Sequence, residues 1–122
     1  MKKLLLVTLL LLTISKINAQ NTLFKEESNV VTFMDGKTYF NPSNGLVIEY
    51  GYISQYNTYG IKVKNKNGLN FYFINVNISP YGSFADLNGI SPENGANFGF
   101  RLYRSKLIVG YGNENAVTFY LR

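Results

Sequence analysis

Side chains that act as strong nucleophiles or bind transition metals are scarce in this sequence. Its 122 residues include no histidine and no cysteine, which excludes Ser-His-Asp triads, thiol catalysis and zinc or haem held by nitrogen or sulfur ligands. No Ser-x-x-Lys or Gly-x-Ser-x-Gly spacing marks an activated serine. We therefore predict a protein that is not an enzyme and that uses no cofactor and no metal.

A pair of carboxylates is the one hydrolytic arrangement that the composition leaves open. Of the seven acidic residues, only Glu49 and Asp86 fall within predicted strands. Glu49 lies on the face that we assign to the outside of the sheet, so we expect it to be a solvated partner of a lysine. The segment Asp86-Leu87-Asn88-Gly89 is similar to part of a calcium loop but lacks the other acidic ligands, so we interpret it as a turn.

The strongest candidate for a binding site is the tyrosine-rich segment from Tyr50 to Gly60. Tyr56 falls outside the alternation of the flanking strands and is surrounded by polar residues. This composition is typical of surfaces that stack on sugars or anchor a protein partner. We predict a ligand-binding site formed by Tyr52, Tyr56, Asn57 and Tyr59. The alternative is that Tyr56 folds back as a lid over the end of the sheet.

The first nineteen residues have the features of a secretory signal peptide. Lys2 and Lys3 precede an apolar stretch that ends at Ile14, and Ala19 provides a small residue for cleavage. The stretch is shorter than the roughly 18 residues of a membrane-spanning helix. We predict cleavage after Ala19 and a secreted or periplasmic protein, in a context that looks bacterial, with no membrane insertion after cleavage.

Removing residues 1–19 also changes the charge argument. Three lysines and no acidic residue are lost, so the net charge falls from +5 to +2. A surface that follows nucleic-acid phosphates needs clustered lysine and arginine side chains. We therefore predict that nucleic acid is not a partner.

The mature chain has apolar residues at every second position over most of its length, as in half-buried strands. We predict an N-terminal arm at 20–29, with at most one helical turn, and a single all-β domain at 30–122. The candidate strands are Val30–Phe33, Lys37–Phe40, Leu46–Ile53, Tyr59–Asn65, Leu69–Ile78, Phe84–Leu87, Phe98–Tyr103, Lys106–Tyr111 and Ala116–Arg122.

The turns predict how neighbouring strands pair, because a shift of one residue would move every inward side chain to the other face. A three-residue loop that ends at Gly68 pairs Val63 with Phe71. The next turns pair Leu102 with Leu107, Phe100 with Val109, Val109 with Phe119 and Leu107 with Leu121. The alternation slips within Leu69–Ile78, which predicts a β-bulge near Asn75.

These elements predict an antiparallel meander of about eight strands, curled or closed into an up-and-down barrel. A two-sheet β-sandwich is the alternative. The barrel resembles small calycin-like barrels in strand number and topology only, and no function follows from that likeness. Since eight strands enclose little space, we expect nine inward rings to fill most of it and to confine any ligand to the end near Tyr52, Tyr56 and Tyr59. The nine are Tyr50, Tyr52, Tyr59, Phe71, Phe73, Phe98, Phe100, Tyr111 and Phe119.

Two hypotheses for the function follow. The first is a non-catalytic, exported binding module for a small apolar ligand in the barrel mouth or for a carbohydrate at the Tyr56 loop. The alternative is an exported protein that acts by protein contact, as an inhibitor, an accessory subunit or a surface component. It would use an exposed face such as that of Tyr72 and Lys62.

Overall fold

The computed structural model describes residues 23–68, 70–110 and 115–122. Eight antiparallel strands pair in sequence order and close into a barrel, which confirms the predicted meander. One helix, α1, precedes them, and a 3₁₀ turn at Ser54–Tyr56 connects the second and third strands. The elements are α1 (Glu27–Met34), β1 (Thr38–Phe40), β2 (Val47–Ile53), β3 (Thr58–Lys64), β4 (Asn70–Pro80), β5 (Ala85–Ile90), β6 (Asn97–Leu102), β7 (Lys106–Val109) and β8 (Val117–Leu121).

The helix α1 corrects the prediction of a strand at Val30–Phe33, and it extends across the boundary predicted between the arm and the domain. Its first turn is held by the Asn29 side chain, which accepts a hydrogen bond from the Glu26 backbone N–H at 3.0 Å. Val30 and Met34, four residues apart and therefore on one face of the helix, are both buried. The β-branched run at this point suggested a strand, but burial of this face against the barrel favours the helix.

The pairing of strands follows the prediction in two of the three hairpins that it addressed. Val63 pairs with Phe71, and both predicted pairs between β6 and β7 are present. The pairing of β7 with β8 was predicted wrongly, because Val109 lies opposite Val117, two positions from Phe119. A shift of two residues keeps every side chain on the same face, so alternation alone does not distinguish the two registers.

Strand β4 changes partner along its length. Residues Asn70–Phe73 pair with β3, and the pairing with β5 begins at Ile74. The register shifts between Ile74 and Asn77, and Asn75 has a φ of 52°, which confirms the predicted bulge. The bulge allows one long strand to serve two neighbours in a tightly curved wall.

The segment Asp86–Gly89 lies within β5, so the prediction of a turn there is corrected. The signals for a turn were Asn88 and Gly89, but Gly89 is buried in the wall of the barrel. A Cβ atom at Gly89 would lie 2.8 Å from the Cβ of Phe73. Glycine is therefore needed here to admit a phenylalanine side chain, a packing role that resembles a turn signal in sequence.

The core occupies the end of the barrel at which β1 begins, called the closed end below. Phe24 forms a backbone bridge to Gly82 in the β4–β5 connection, and α1 packs against β2 and β4. The side chains of Phe24, Val30 and Met34 join the buried cluster of the barrel. The chain before β1 thus covers this end with apolar side chains.

The predicted signal peptide lies outside the described residues. Within the part of the chain that the structure describes, no helix is long and apolar enough to cross a membrane.

Candidate functional site

The opposite end of the barrel, called the open end, contains a pocket of about 370 Å³. We call it the mouth pocket. Its volume is at the lower limit of the range of about 300–1,000 Å³ that is typical of small-molecule sites. Its wall consists mainly of aliphatic and phenylalanine side chains from the barrel interior. These are Leu46, Ile48, Val63, Phe71, Phe73, Phe98, Phe100, Val109, Val117 and Phe119.

The local structure of the wall explains why this end is open. Because β4 pairs with β5 only from Ile74 onward, its first four residues do not pair with β5, and Phe71, Tyr72 and Phe73 line the pocket together with the β5–β6 loop. Phe73 closes part of the wall at this point, with its ring centroid 4.9 Å from that of Phe98 and 5.4 Å from that of Phe100. Phe71 and Phe98 are 48% and 40% exposed. They point to the predicted inward face, but they lie at the mouth and are not buried in the core.

Polar groups border the mouth pocket on two loops. Asn44 comes from the β1–β2 turn, and Ser91, Glu93 and Asn94 come from the β5–β6 loop. The side-chain oxygens of Asn44 and Asn94 each accept a backbone N–H at 2.9 Å, which fixes the loops at the rim. Glu93 is the one charged residue among the described residues that line the pocket. The pocket therefore combines an apolar interior with a weakly acidic rim.

The structure divides the predicted tyrosine site into two parts. Tyr50, Tyr52, Asn57 and Tyr59, which we call the tyrosine hairpin, lie together at the end of the β2–β3 hairpin. The Tyr52 hydroxyl donates a hydrogen bond to the Asn57 side chain, and the Tyr59 ring centroid is 5.4 Å from that of Tyr52. The Tyr52 and Tyr59 rings are 46% and 60% exposed. Tyr50 was not part of the predicted site, and Tyr56, the remaining predicted residue, does not join this group.

Tyr56 belongs to the other part. It lies on the 3₁₀ turn with its ring centroid 5.9 Å from that of Tyr72, and both residues border the mouth pocket. The half-buried Tyr56 ring thus packs against Tyr72 of β4. The binding role of Tyr52, Asn57 and Tyr59 stays a prediction. None of these three is among the described residues that line the mouth pocket.

The short β1 explains why the tyrosine hairpin is exposed. Tyr50, Tyr52 and Tyr59 point to the face that lines the interior elsewhere, but β1 pairs with β2 only as far as Glu49. The Tyr52 and Tyr59 rings thus lie beyond the end of the neighbouring strand and are exposed, whereas Tyr50 is half-buried against the core. Burial raises the pKa of Tyr50, and the charge on Tyr59 raises it further.

The acidic residues in strands form ion pairs. Glu49 Oε1 lies 2.6 Å from Lys64 Nζ, which confirms the expected lysine partner. Asp86 accepts two hydrogen bonds from Arg101, at 2.7 and 3.0 Å. Among the described residues no three acidic side chains lie close enough together to hold a metal ion. In both strands the carboxylates therefore balance a cation on the outside of the barrel.

Comparison of the chain with models of protein families, with curated proteins and with solved structures finds no match.

The residues of the mouth pocket that sequence reasoning missed belong to two turns and to the start of β8. Asn44 and the segment Ser91–Asn94 have turn composition, which carried no sign of their position beside a cavity. The predicted register paired Val109 with Phe119, so Val117 was not expected opposite Val109. The sequence did contain one signal for the pocket. Phe71 at the start of β4 and Phe98 at the start of β6 are inward positions that reach the rim.

Proposed function

We propose that this protein is an exported, non-catalytic binding module that holds a small amphiphilic molecule in the mouth pocket. The observation that carries the proposal is the apolar pocket of about 370 Å³ at one end of the barrel. Burial of apolar ligand surface there contributes about 25 cal/mol per Å² before the costs of association.

The rim sets the polar end of this ligand. Amide and hydroxyl groups of Asn44, Ser91 and Asn94 offer hydrogen bonds, whereas Glu93 disfavours an anion. A neutral or cationic polar group at the rim and a ring or short alkyl chain in the interior fit this arrangement. A fatty-acid carboxylate fits it poorly because it would lie beside the Glu93 carboxylate.

The described lining also supports binding without catalysis. Its titratable side chains are Tyr56, Tyr72 and Glu93, and none of these has a second acid or base beside it among the described hydrogen bonds. General acid-base chemistry needs a positioned donor and acceptor at the reacting atoms. Contact with a protein partner, the alternative from the sequence, would use exposed surfaces such as the tyrosine hairpin and leave the pocket without a role.

The proposal is tested with N-phenyl-1-naphthylamine, a neutral apolar dye that fluoresces when it leaves water. We expect saturable binding to the protein and an increase in the melting temperature with dye concentration, because a ligand that binds only the folded state stabilises it. The Val109→Phe variant places a ring in the pocket and should abolish this binding. The matched control is Ile108→Phe, which adds the same ring to the neighbouring residue on the opposite face of β7.

Circular dichroism and thermal unfolding verify that both variants remain folded. The proposal is wrong if the dye does not bind the native protein saturably, or if Val109→Phe binds it as tightly as Ile108→Phe does. Displacement of the dye by alkyl amines but not by alkyl carboxylates of equal length would support the polarity of the rim. Equal displacement by both would refute it.

Export rests on the pattern of residues 1–19 and has its own test. Mass spectrometry of the protein recovered from outside the cytoplasm should give a chain that begins at Gln20. A mass that includes residues 1–19 would refute both cleavage and the secreted or periplasmic location.

A further inference from the structure

A second cavity, of about 330 Å³, lies on the outside of the barrel over β4, β5 and β6. We call it the polar groove and define it by Asn77, Ser79, Tyr81, Asp86, Asn88 and Gly99. It shares only Phe100 with the lining of the mouth pocket. The two cavities therefore differ in position and in the chemistry that they offer.

The polar side chains of the groove come from neighbouring positions on two strands. Asn77 pairs with Asn88, and Ser79 pairs with Asp86, so four polar groups form a compact array. Asn77, Ser79 and Asn88 are exposed, and their side chains make no hydrogen bond to another described residue. Their amide and hydroxyl groups are therefore available both to donate and to accept hydrogen bonds.

The Asp86 side of the groove is held rigidly. Both carboxylate oxygens accept hydrogen bonds from Arg101, at 2.7 and 3.0 Å, and the Arg101 guanidinium lies 4.2 Å from the centroid of the Phe84 ring. Phe84 in turn stacks on Tyr81 with the centroids 5.1 Å apart. This series of contacts orients both the carboxylate and the Tyr81 ring, which is 60% exposed.

Gly99 leaves open space in the lining of the groove. It lies inside β6 opposite Asn88, where glycine weakens a strand and often marks a place where a ligand approaches the backbone. A Cβ atom at Gly99 would have no atom within 4 Å, and Gly99 is not among the glycines with positive φ. Neither packing nor backbone conformation explains the glycine, in contrast to Gly89 on the adjacent strand.

We propose that the polar groove binds a neutral saccharide. Vicinal hydroxyl groups both donate and accept hydrogen bonds, which matches the amides, the hydroxyl and the oriented carboxylate. The exposed face of Tyr81 can stack on the apolar face of a pyranose ring. The charge of Asp86 is balanced by Arg101, so the described groove has no unpaired charge that would select an ionic ligand. Gly99 lets the sugar approach the strand backbone.

The test is a titration of the ¹⁵N-labelled protein with glucose, galactose, mannose, N-acetylglucosamine and their β-1,4-linked dimers, followed by amide chemical shifts. We expect one or more of these sugars to produce saturable shifts centred on Asn77, Asn88 and Gly99. Gly99→Val fills the groove and should weaken binding at least about tenfold, which is about 1.4 kcal/mol. Asn88→Ala, a change at an exposed residue, should weaken it as well.

The matched control is Gly51→Val. It makes the same change on the outer face of β2, where a Cβ atom would meet only the end of the Lys62 side chain, at 3.7 Å. Its affinity for the sugar should equal that of the native protein. The proposal is overturned if no sugar of this set shifts the groove amides. Shifts centred on the tyrosine hairpin or the mouth pocket, or native affinity in both groove variants, would also overturn it. Dye binding in the mouth pocket should be unchanged in all three variants, so the two proposals fail independently.

Discussion

The hydroxyl of Tyr39 gives the most direct test of the physical reasoning about the core. Tyr39 lies on β1 between Ile48 and Leu121 and is 0% exposed. Its hydroxyl oxygen is buried without a hydrogen-bond partner among the described residues. A polar group taken out of water without a partner costs about 1–3 kcal/mol of stability. Tyr39→Phe removes that group and keeps the ring.

The expected effect near neutral pH is a small gain in stability. The variant recovers the desolvation cost but loses the contacts of one oxygen, each worth about 0.1–0.2 kcal/mol, and leaves a void smaller than a methyl group. We expect the free energy of unfolding to rise by about 1 kcal/mol, or to stay unchanged if the void offsets the gain. A buried tyrosine with a good hydrogen bond would behave in the opposite way.

The pH dependence provides a second measure of the same burial. Burial raises the pKa of Tyr39 from 10.0 to about 12. Between these values the unfolded chain releases the proton and the folded protein retains it, so stability falls as the pH rises through this window. Two pKa units correspond to about 3 kcal/mol. Tyr39→Phe lacks this contribution, so its advantage over the native protein should increase from pH 10 upward.

The assay is urea denaturation of both proteins at pH 7, 9, 10 and 11, with Tyr120→Phe as the control at an exposed position of β8. The other tyrosines are present in both proteins, so the difference in stability between the two isolates Tyr39. The reasoning is refuted if Tyr39→Phe loses more than about 1 kcal/mol at pH 7, since that would reveal a hydrogen bond. It is also refuted if the two proteins lose stability in parallel above pH 10.

Three further tests, which use five variants, examine the packing and one turn by urea denaturation. Phe100→Ala should cost about 3–5 kcal/mol because it leaves a cavity in the core, whereas Phe71→Ala at the exposed mouth should cost about 1 kcal/mol or less; equal costs would contradict this division. Gly89→Ala should destabilise by about 1–3 kcal/mol, because its methyl group would lie 2.8 Å from a phenylalanine Cβ, and Gly99→Ala should be neutral or stabilising by up to about 1 kcal/mol; a reversed order would be inconsistent with the structure. Gly68→Val should cost about 1 kcal/mol or more because φ is +80° there, and an unchanged midpoint would contradict that conformation.

The sequence contained enough information for the barrel but not for its ends. Period-two alternation and turn chemistry predicted the strand order, the register at Gly68 and the bulge at Asn75, because each depends on contacts between neighbours in the chain. The helix α1 depends on burial of Val30 and Met34 against strands that lie far away in sequence. Local propensity favoured a strand there, and packing at the closed end decided otherwise.

The candidate sites were harder to predict than the fold for a related reason. Tyr52, Asn57 and Tyr59 were grouped correctly because they lie on one hairpin. The polar groove was missed because Asn88 and Gly89 were interpreted as a turn, which hid the pairing of Asn88 with Asn77. Alternation predicts which face of the sheet a residue occupies. It does not predict whether a neighbouring strand is long enough to cover that residue.

The error in the register of β8 is connected to the existence of the mouth pocket. The predicted register places the ring of Phe119 beside Val109, near the rim. In the structure Val117 lies there, and Phe119 pairs with Leu107, which is the next inward-facing pair deeper in the barrel. Two valines therefore face the mouth where a valine and a phenylalanine were expected, and the smaller side chain leaves space. The Val109→Phe variant restores a ring at this level, so its effect on dye binding measures the volume that the two-residue offset leaves open.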